Sequence, residues 1–379
     1  MNQTTRIVGI DDGHSETKIA SFRDGTTGPL ETWSYASRTT IGYEEIGMNG
    51  GTPPNFYALL DSADDIPPPH KTRQLTVIER GKRGWVGADG SRDPDYAVSD
   101  RNRVLVHHAL HMIAARHPGC TFEIATTLPY SDFYLPGGQP DRARTAAKKA
   151  NIDKPVWAYD AGTPELVLCR SNYQIASHSV ISEGIAAFFD CMFTYDGERH
   201  LSVNPDFASR FETGEDFVLV DIGGKTTDVV AGVWNGSGAA GPTIRVGASR
   251  SIDLGMLGVA TDLAGEIIRE HGVRSVNDPE LVMMRGTLPL YGKPCDVSEL
   301  VAKVRSRFVN RLRESLGFAL GDIAELSAII FVGGGTETLR ENISGEFRPE
   351  QLVIPSAPRF ANALGMAKFL KLLHDTRKD

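Results

Sequence analysis

The chain has 379 residues with 41% hydrophobic and 23% charged content, ordinary for a folded globular protein and long enough for two or more domains. A formal charge of −8 gives no global attraction to a nucleic-acid backbone or an anionic membrane, so any DNA role is expected to run through a partner. No stretch approaches the roughly 18 apolar residues that span a bilayer, and four scattered cysteines without a C-x-x-C pair fit a reducing, cytoplasmic setting.

In chain order, residues 7–20 (IVGIDDGHSETKIA) form an apolar run ending in Asp-x-Gly, a short polar turn and a second β-rich run, which predicts a hairpin over about 6–23. A Gly/Pro-studded stretch follows, and residues 75–88 read as strand, turn, strand, so about 35–100 is expected to be an irregular inserted subdomain. Residues 103–116 predict a helix stopped at Pro118, and 122–129 a buried strand stopped by Pro129. Residues 142–152 (RARTAAKKANI) read as a short basic helix with a solvated face. Helical spacing of Ile181, Ile185, Phe188, Phe189 and Met192 predicts a helix over 179–193, with Glu183 in its first turn, opposite the apolar stripe.

Polar, acidic residues 196–216 suit a domain boundary, and 217–230 (FVLVDIGGKTTDVV) then repeats the first hairpin. Asp11 superposes on Asp221, Gly13 on Gly223 and Thr17 on Thr227, all at one offset. A Gly-rich turn enters a helix over 251–268, and residues 298–318 make a long amphipathic helix with Lys303, Arg305, Arg307, Arg311 and Arg313 on its wet face. Residues 328–339 (AIIFVGGGTETL) are a strand, a triple glycine and a helix start, and a closing helix covers about 358–374.

Glycine lets a turn bring backbone N–H groups close to an anion, and an Asp at a strand end suits a cation or a water on it. Two such hairpins therefore read as a clamp on a phosphate chain. In the first, Asp11, Asp12, Gly13, His14 and Ser15 make the turn and Lys18 offers a cation; in the second, Gly223, Gly224, Lys225 and Thr226 offer amides and hydroxyls. Gly333, Gly334, Gly335, Thr336 and Glu337 open a helix whose N-terminus favours anions and whose glycines admit a flat ring or ribose. No G-x-G-x-x-G and no G-x-x-x-x-G-K-[ST] occurs, which argues against a Rossmann dehydrogenase or a P-loop enzyme. Glu183 is a carboxylate placed to orient or deprotonate a water.

This order of hairpin, crossover helix, hairpin and Gly-Gly-Gly turn resembles the actin-like ATPase superfamily, and the Asp-x-Gly-Gly-x-Thr-x-Asp loop is most similar to the ParM/StbA-type plasmid-segregation actins. The resemblance implies an α/β fold of two duplicated ribonuclease-H-like domains with nucleotide in the cleft between them. Domain I would take residues 1–195 and 356–379, and domain II residues 196–355. It further implies ATP or GTP with Mg²⁺ held by Asp11 and Asp221, phosphates wrapped by the two Gly-rich loops, and Glu183 positioning the hydrolytic water. His14 would turn its side chain away from the phosphates. Self-assembly into a filament, with a DNA-binding adaptor at its end and no direct nucleic-acid contact, is the implied role. A non-polymerising kinase or phosphatase, a nucleotide-binding regulator, or a cytoskeletal protein organising the cell could carry the same fold. Segments 35–100 and 270–297 match nothing in the resemblance.

Overall fold

The computed structural model describes residues 4–42, 52–63, 71–78, 95–163, 165–198, 200–236 and 242–377. Both predicted hairpins form. Strand Thr5–Asp12 pairs antiparallel with Glu16–Phe22, and Asp216–Ile222 pairs antiparallel with Thr227–Val233. All but the first residue of Thr5–Asp12 and of Asp216–Ile222 is buried, as expected for strands covered on both faces, where the sequence is a continuous apolar run.

Each hairpin seeds a sheet of the same plan. In the first, Thr5–Asp12 runs parallel to Thr121–Leu128, which runs parallel to Gln174–Ser182, while Leu30–Ala36 extends the antiparallel edge. In the second, Asp216–Ile222 runs parallel to Ala328–Val332, which runs parallel to Leu352–Val353, while Thr243–Ile244 and Arg250–Ile252 both pair with Thr227–Val233. The duplication read from two short segments is thus a duplication of whole sheets. The second sheet packs against helices Met256–His271 and Ser298–Leu320 through Val218, Val220, Leu263, Ile267, Phe308 and Leu312. Helix Ala361–Thr376 returns to the first sheet, where Ala363, Met366 and Ala367 pack on Ile7 and Ala20.

Three expectations are corrected. Residues 179–182 are not helical: strand Gln174–Ser182 continues to Ser182, Gly184 turns the chain at φ 74, and the helix is only Ile185–Met192. The reason is pairing, since Ser179 to Ser182 add to Ala125–Leu128 as a parallel strand and so satisfy backbone groups that a helix would have used. The described part of the inserted region is ordered. Strands Thr39–Ile41, Arg73–Val77 and Phe56–Leu59 join Val156–Tyr159 and Leu168–Cys169 in a five-stranded antiparallel sheet. Its strands are two to five residues long, and one neighbour lies about a hundred residues away, so no local pattern announces it. The second strand expected within 75–88 lies outside the described residues. Finally, the basic helix Arg142–Ile152 is not wholly solvated, because Lys148 is buried within the first lobe.

The unplaced segment 270–297 forms helix Pro279–Arg285 and a hairpin of Thr287–Leu290 with Lys293–Asp296. Among the described residues, no helix is long and apolar enough to cross a membrane.

Candidate functional site

The two hairpin turns face each other across one cavity of about 370 Å³. They nearly touch: a Cβ on Gly224 would come within 2.8 Å of the Ser15 Cβ, so only glycine lets the loops approach this closely. Asp11, Gly13, His14, Ser15 and Lys18 line the cavity from the first sheet, and Asp221, Gly223, Gly224, Lys225 and Thr226 from the second. Gly334, Gly335 and Glu337 border it at the start of helix Gly334–Glu346, and Glu183 stands on the wall between the hairpins.

Three expected residues sit elsewhere. Successive side chains of a strand point to opposite faces, so the Asp next to Asp11 turns away. Asp12 is buried against Lys148 Nζ at 2.6 Å, with Asn102 Nδ2 at 2.5 Å and the Thr127 amide at 3.2 Å. Thr336 is buried and donates its hydroxyl to the Val332 carbonyl. Gly333 does not line the cavity but makes the turn possible. At φ 89 it brings the third loop so near Asp221 that a Cβ would meet the carboxylate at 2.3 Å. His14 packs on Tyr96 at a tilt of 32°, ring centroids 4.5 Å apart, and the Tyr96 hydroxyl donates to the Gly13 carbonyl at 3.2 Å.

The cavity also recruits residues that sequence reading missed. Asn362 donates from Nδ2 to Asp221 at 2.6 Å and accepts the Gly184 amide on Oδ1 at 3.2 Å, tying the second Asp to the turn beside Glu183. Arg359 pairs with Glu16, Nε to Oε2 at 2.9 Å. Arg305, read as wet face, donates to the Met283 carbonyl at 2.9 Å and lines the cavity with Met283, Met284 and Thr338. None carries a local motif, and Asn362 and Arg359 meet partners 141 and 343 residues away in the chain.

Carboxylates dominate the electrostatics. Asp11 pairs with Lys18 at 2.8 Å, and although burial would lower the Lys18 ammonium, Asp11, Glu16 and Asp221 hold it above its ordinary value. Burial, then the facing Asp11, pushes Asp221 up to about 6. Burial, then Asp228, Asp11, Asp221 and Asp12, pushes Glu183 well above the usual carboxylate range. Asp228 pairs across the second hairpin from Asp221 as Lys18 pairs across the first from Asp11; burial raises it to about 7, against bonds from Ser251 and Tyr130.

Among the described residues no group of three or more His, Cys, Asp or Glu side chains could hold a metal alone. Opposed, desolvated Asp11 and Asp221 nevertheless fit a hard divalent cation that takes one or two carboxylates and completes its shell with water and ligand oxygens.

Two family models match the sequence. The N-terminal model of the plasmid segregation protein ParM covers residues 88–193, and the C-terminal model of the archaeal MreB-like actin homologues covers 219–345. The two models describe actin-like proteins, one matching each half of the chain. Solved structures agree on the actin-like fold. A 15-stranded ParM filament from Clostridium botulinum is 18% identical over 98% of this chain and 100% of that one, with a TM-score of 0.70. An archaeal actin homologue in complex with ADP is 19% identical over 97% and 99%, at 0.65. Bacillus thuringiensis ParM with AMPPNP is 12% identical over 98% and 100%, at 0.66. No curated protein matches the sequence.

The raised carboxylates of this actin-like chain set a pH dependence. Asp228 binds its proton more tightly folded than unfolded, so the stability it adds is full below about pH 4 and is lost as pH rises through about 7. Asp228→Asn removes that loss and keeps an acceptor for the Tyr130 amide, which Asp228 now binds at 2.6 Å. Nucleotide-free Asp228→Asn is expected to gain roughly 2–3 kcal/mol over wild type at pH 8 and less than about half of that at pH 5, read from thermal melts at both.

Proposed function

We propose that this protein binds a nucleoside triphosphate between its two Asp-Gly hairpins, hydrolyses it, and assembles in the triphosphate state into filaments that segregate plasmid DNA in the cytoplasm. The observation that carries the reading is the facing pair of loops, Gly224 against Ser15, with Glu183 on the wall between them. Similarity to a ParM filament, and to relatives solved with ADP and AMPPNP, supports it. The division into residues 1–195 with 356–379, and 196–355, is part of the same proposal.

In this mechanism the amides of Gly13 to Ser15 and Gly223 to Thr226 wrap the β- and γ-phosphates, and Lys18 neutralises charge. The nucleoside lies toward Gly334, Gly335 and Glu337. Mg²⁺ held by Asp11 and Asp221 would offset phosphate charge as the terminal bond breaks. Ionised Glu183 orients a water and takes its proton, while Asn362 fixes Asp221 relative to the Gly184 turn. Phosphoryl transfer asks for little more than such positioning and charge. Nucleotide bridging the two lobes would favour one closed shape, and a head-to-tail contact of that shape that does not close into a ring yields an open filament. An acidic chain reaches DNA through a basic adaptor at the filament end.

Sedimentation and light scattering with Mg²⁺ and ATP, GTP, ADP or AMPPNP test the reading. Triphosphate should drive the protein into the pellet above a critical concentration, with decay as hydrolysis proceeds and persistence with AMPPNP. Binding of triphosphate without assembly at any concentration or salt would sink the filament and, with it, segregation by filament growth.

A further inference from the structure

A carboxylate from the second lobe reaches into the first phosphate loop. It belongs to Glu280, in the first turn of helix Pro279–Arg285, within the segment that resembled nothing in sequence. Ser15 Oγ donates to Glu280 Oε1 at 2.7 Å, and Arg38 Nη2 donates to Glu280 Oε2 at 2.8 Å. Arg38 also grips Asp278 with both terminal nitrogens, at 2.9 and 3.0 Å. These side chains are only 11%, 11% and 8% exposed for Arg38, Asp278 and Glu280, so their charges act with little screening.

Both ends of this bridge are anchored. Asp278 sits in left-handed backbone at φ 47, and its carboxylate also accepts the Leu281 amide at 3.1 Å, capping the helix. A non-glycine residue keeps that conformation only where its bonds hold it there. On the first lobe, Ser37 precedes Arg38 and fastens it to the hairpin: its amide donates to the Ser15 carbonyl at 3.0 Å and its hydroxyl to the Gly13 carbonyl at 2.6 Å. The loop that would meet a terminal phosphate and the helix across the cleft are one bonded network.

We propose that Glu280, pinned by the Arg38 guanidinium, is a built-in competitor of the terminal phosphate, holding the Ser15 hydroxyl on the cavity wall until a nucleoside triphosphate displaces it. This rests on the nucleotide reading above. A γ-phosphate and the Glu280 carboxylate are both anions seeking the Ser15 hydroxyl, so they exclude each other; a diphosphate leaves the bridge closed. The bidentate Arg38–Asp278 pair stays as a tether when Glu280 swings out, because Asp278 is fixed by its own helix cap. Glu280 therefore sets the discrimination between triphosphate and diphosphate and couples it to contact between the lobes.

Titration of wild type, Glu280→Gln, Arg38→Ala and the double variant with AMPPNP and ADP, against a fluorescent nucleotide, tests this. Glutamine removes the charge and keeps one acceptor oxygen where Glu280 offers two, one to Ser15 and one to Arg38. Glu280→Gln should tighten AMPPNP by about tenfold while changing ADP by less than about twofold. Arg38→Ala should weaken AMPPNP, since it leaves Glu280 and Asp278 uncompensated, and adding Glu280→Gln should recover most of that loss. Parallel changes for both nucleotides, or none, would make Glu280 a strut and overturn the proposal. Wild type binding neither nucleotide would instead bring down the nucleotide reading itself. Melts of the free proteins identify a misfolded Arg38→Ala, in which case Glu280→Gln alone decides.

Discussion

Glu183→Gln should slow nucleotide hydrolysis by about 10²–10⁴-fold, the usual contribution of a positioned general base, while nucleotide affinity stays within a few-fold. The carboxylate lines the cavity beside both Asp-Gly hairpins, held there by strand pairing before it and the Gly184 turn after it. Its amide donates to the Leu128 carbonyl at 2.8 Å, so the residue hangs from the sheet rather than from a mobile loop. Burial and four acidic neighbours hold its proton well above the usual carboxylate range, and only the ionised form accepts a proton from water. The sign follows: wild-type turnover should rise with pH above the ordinary carboxylate range, and Glu183→Gln should lose that limb. Removing a repelling neighbour with Asp228→Asn should move the limb to lower pH, because after burial the Asp228 charge contributes most to raising Glu183. Phosphate release at saturating Mg²⁺-ATP from pH 5 to 9 reads both effects. Sedimentation should show longer-lived polymer in Glu183→Gln, since assembly is assigned to triphosphate binding and disassembly to its loss. An unchanged rate would remove Glu183 from the catalytic residues and favour a binder with little turnover.

The parts of this site legible in sequence are those written in short, continuous stretches. A doubly buried strand needs an unbroken apolar run, and a tight anion-binding turn needs glycine, so both hairpins and the Gly333 turn showed themselves. The superposed register added the pairing of Asp11 with Asp221, which no single copy gives. Glu183 was placed in the right neighbourhood but on the wrong element, because Ile181, Ile185 and Phe188 keep helical spacing across a chain that is strand before Gly184 and helix after it. What stayed hidden are partners brought together only by the closed fold. Asn362 meets Asp221 across 141 residues, Arg38 meets Asp278 across 240, and Arg359 meets Glu16 across 343. A lone Asn, Arg or Glu in sequence has no signature of such a contact. The small sheet was missed for the same reason, its short strands being defined by distant neighbours rather than by their own pattern.

Lys148 makes the point most sharply and carries the largest expected loss of stability. Composition places it on a basic, solvated helix, yet it is 1% exposed and its Nζ donates both to Asp12 at 2.6 Å and to the Thr127 carbonyl. Burial alone would raise the Asp12 carboxyl; Lys148, Asn102 and Thr127 hold it below its ordinary value instead, so Asp12 is ionised at neutral pH. Asp12 follows Asp11 on the first Asp-Gly hairpin, and this buried knot fixes the strand end from behind. Lys148→Met keeps the aliphatic bulk but strands a carboxylate without its cation, which is expected to cost about 3–5 kcal/mol. Asp12→Asn combined with Lys148→Met removes both charges, and an uncharged pair of similar shape should recover most of that loss. Urea unfolding of the two single variants and the double, at pH 7 without nucleotide, gives the coupling directly. A double variant no more stable than Lys148→Met would mean that the bond to Thr127, not the charge on Asp12, is what Lys148 supplies. Recovery would instead show that the base of the first hairpin is held by a compensated charge, which explains how a strand can end in two consecutive aspartates, one offered to the cleft and one neutralised behind it.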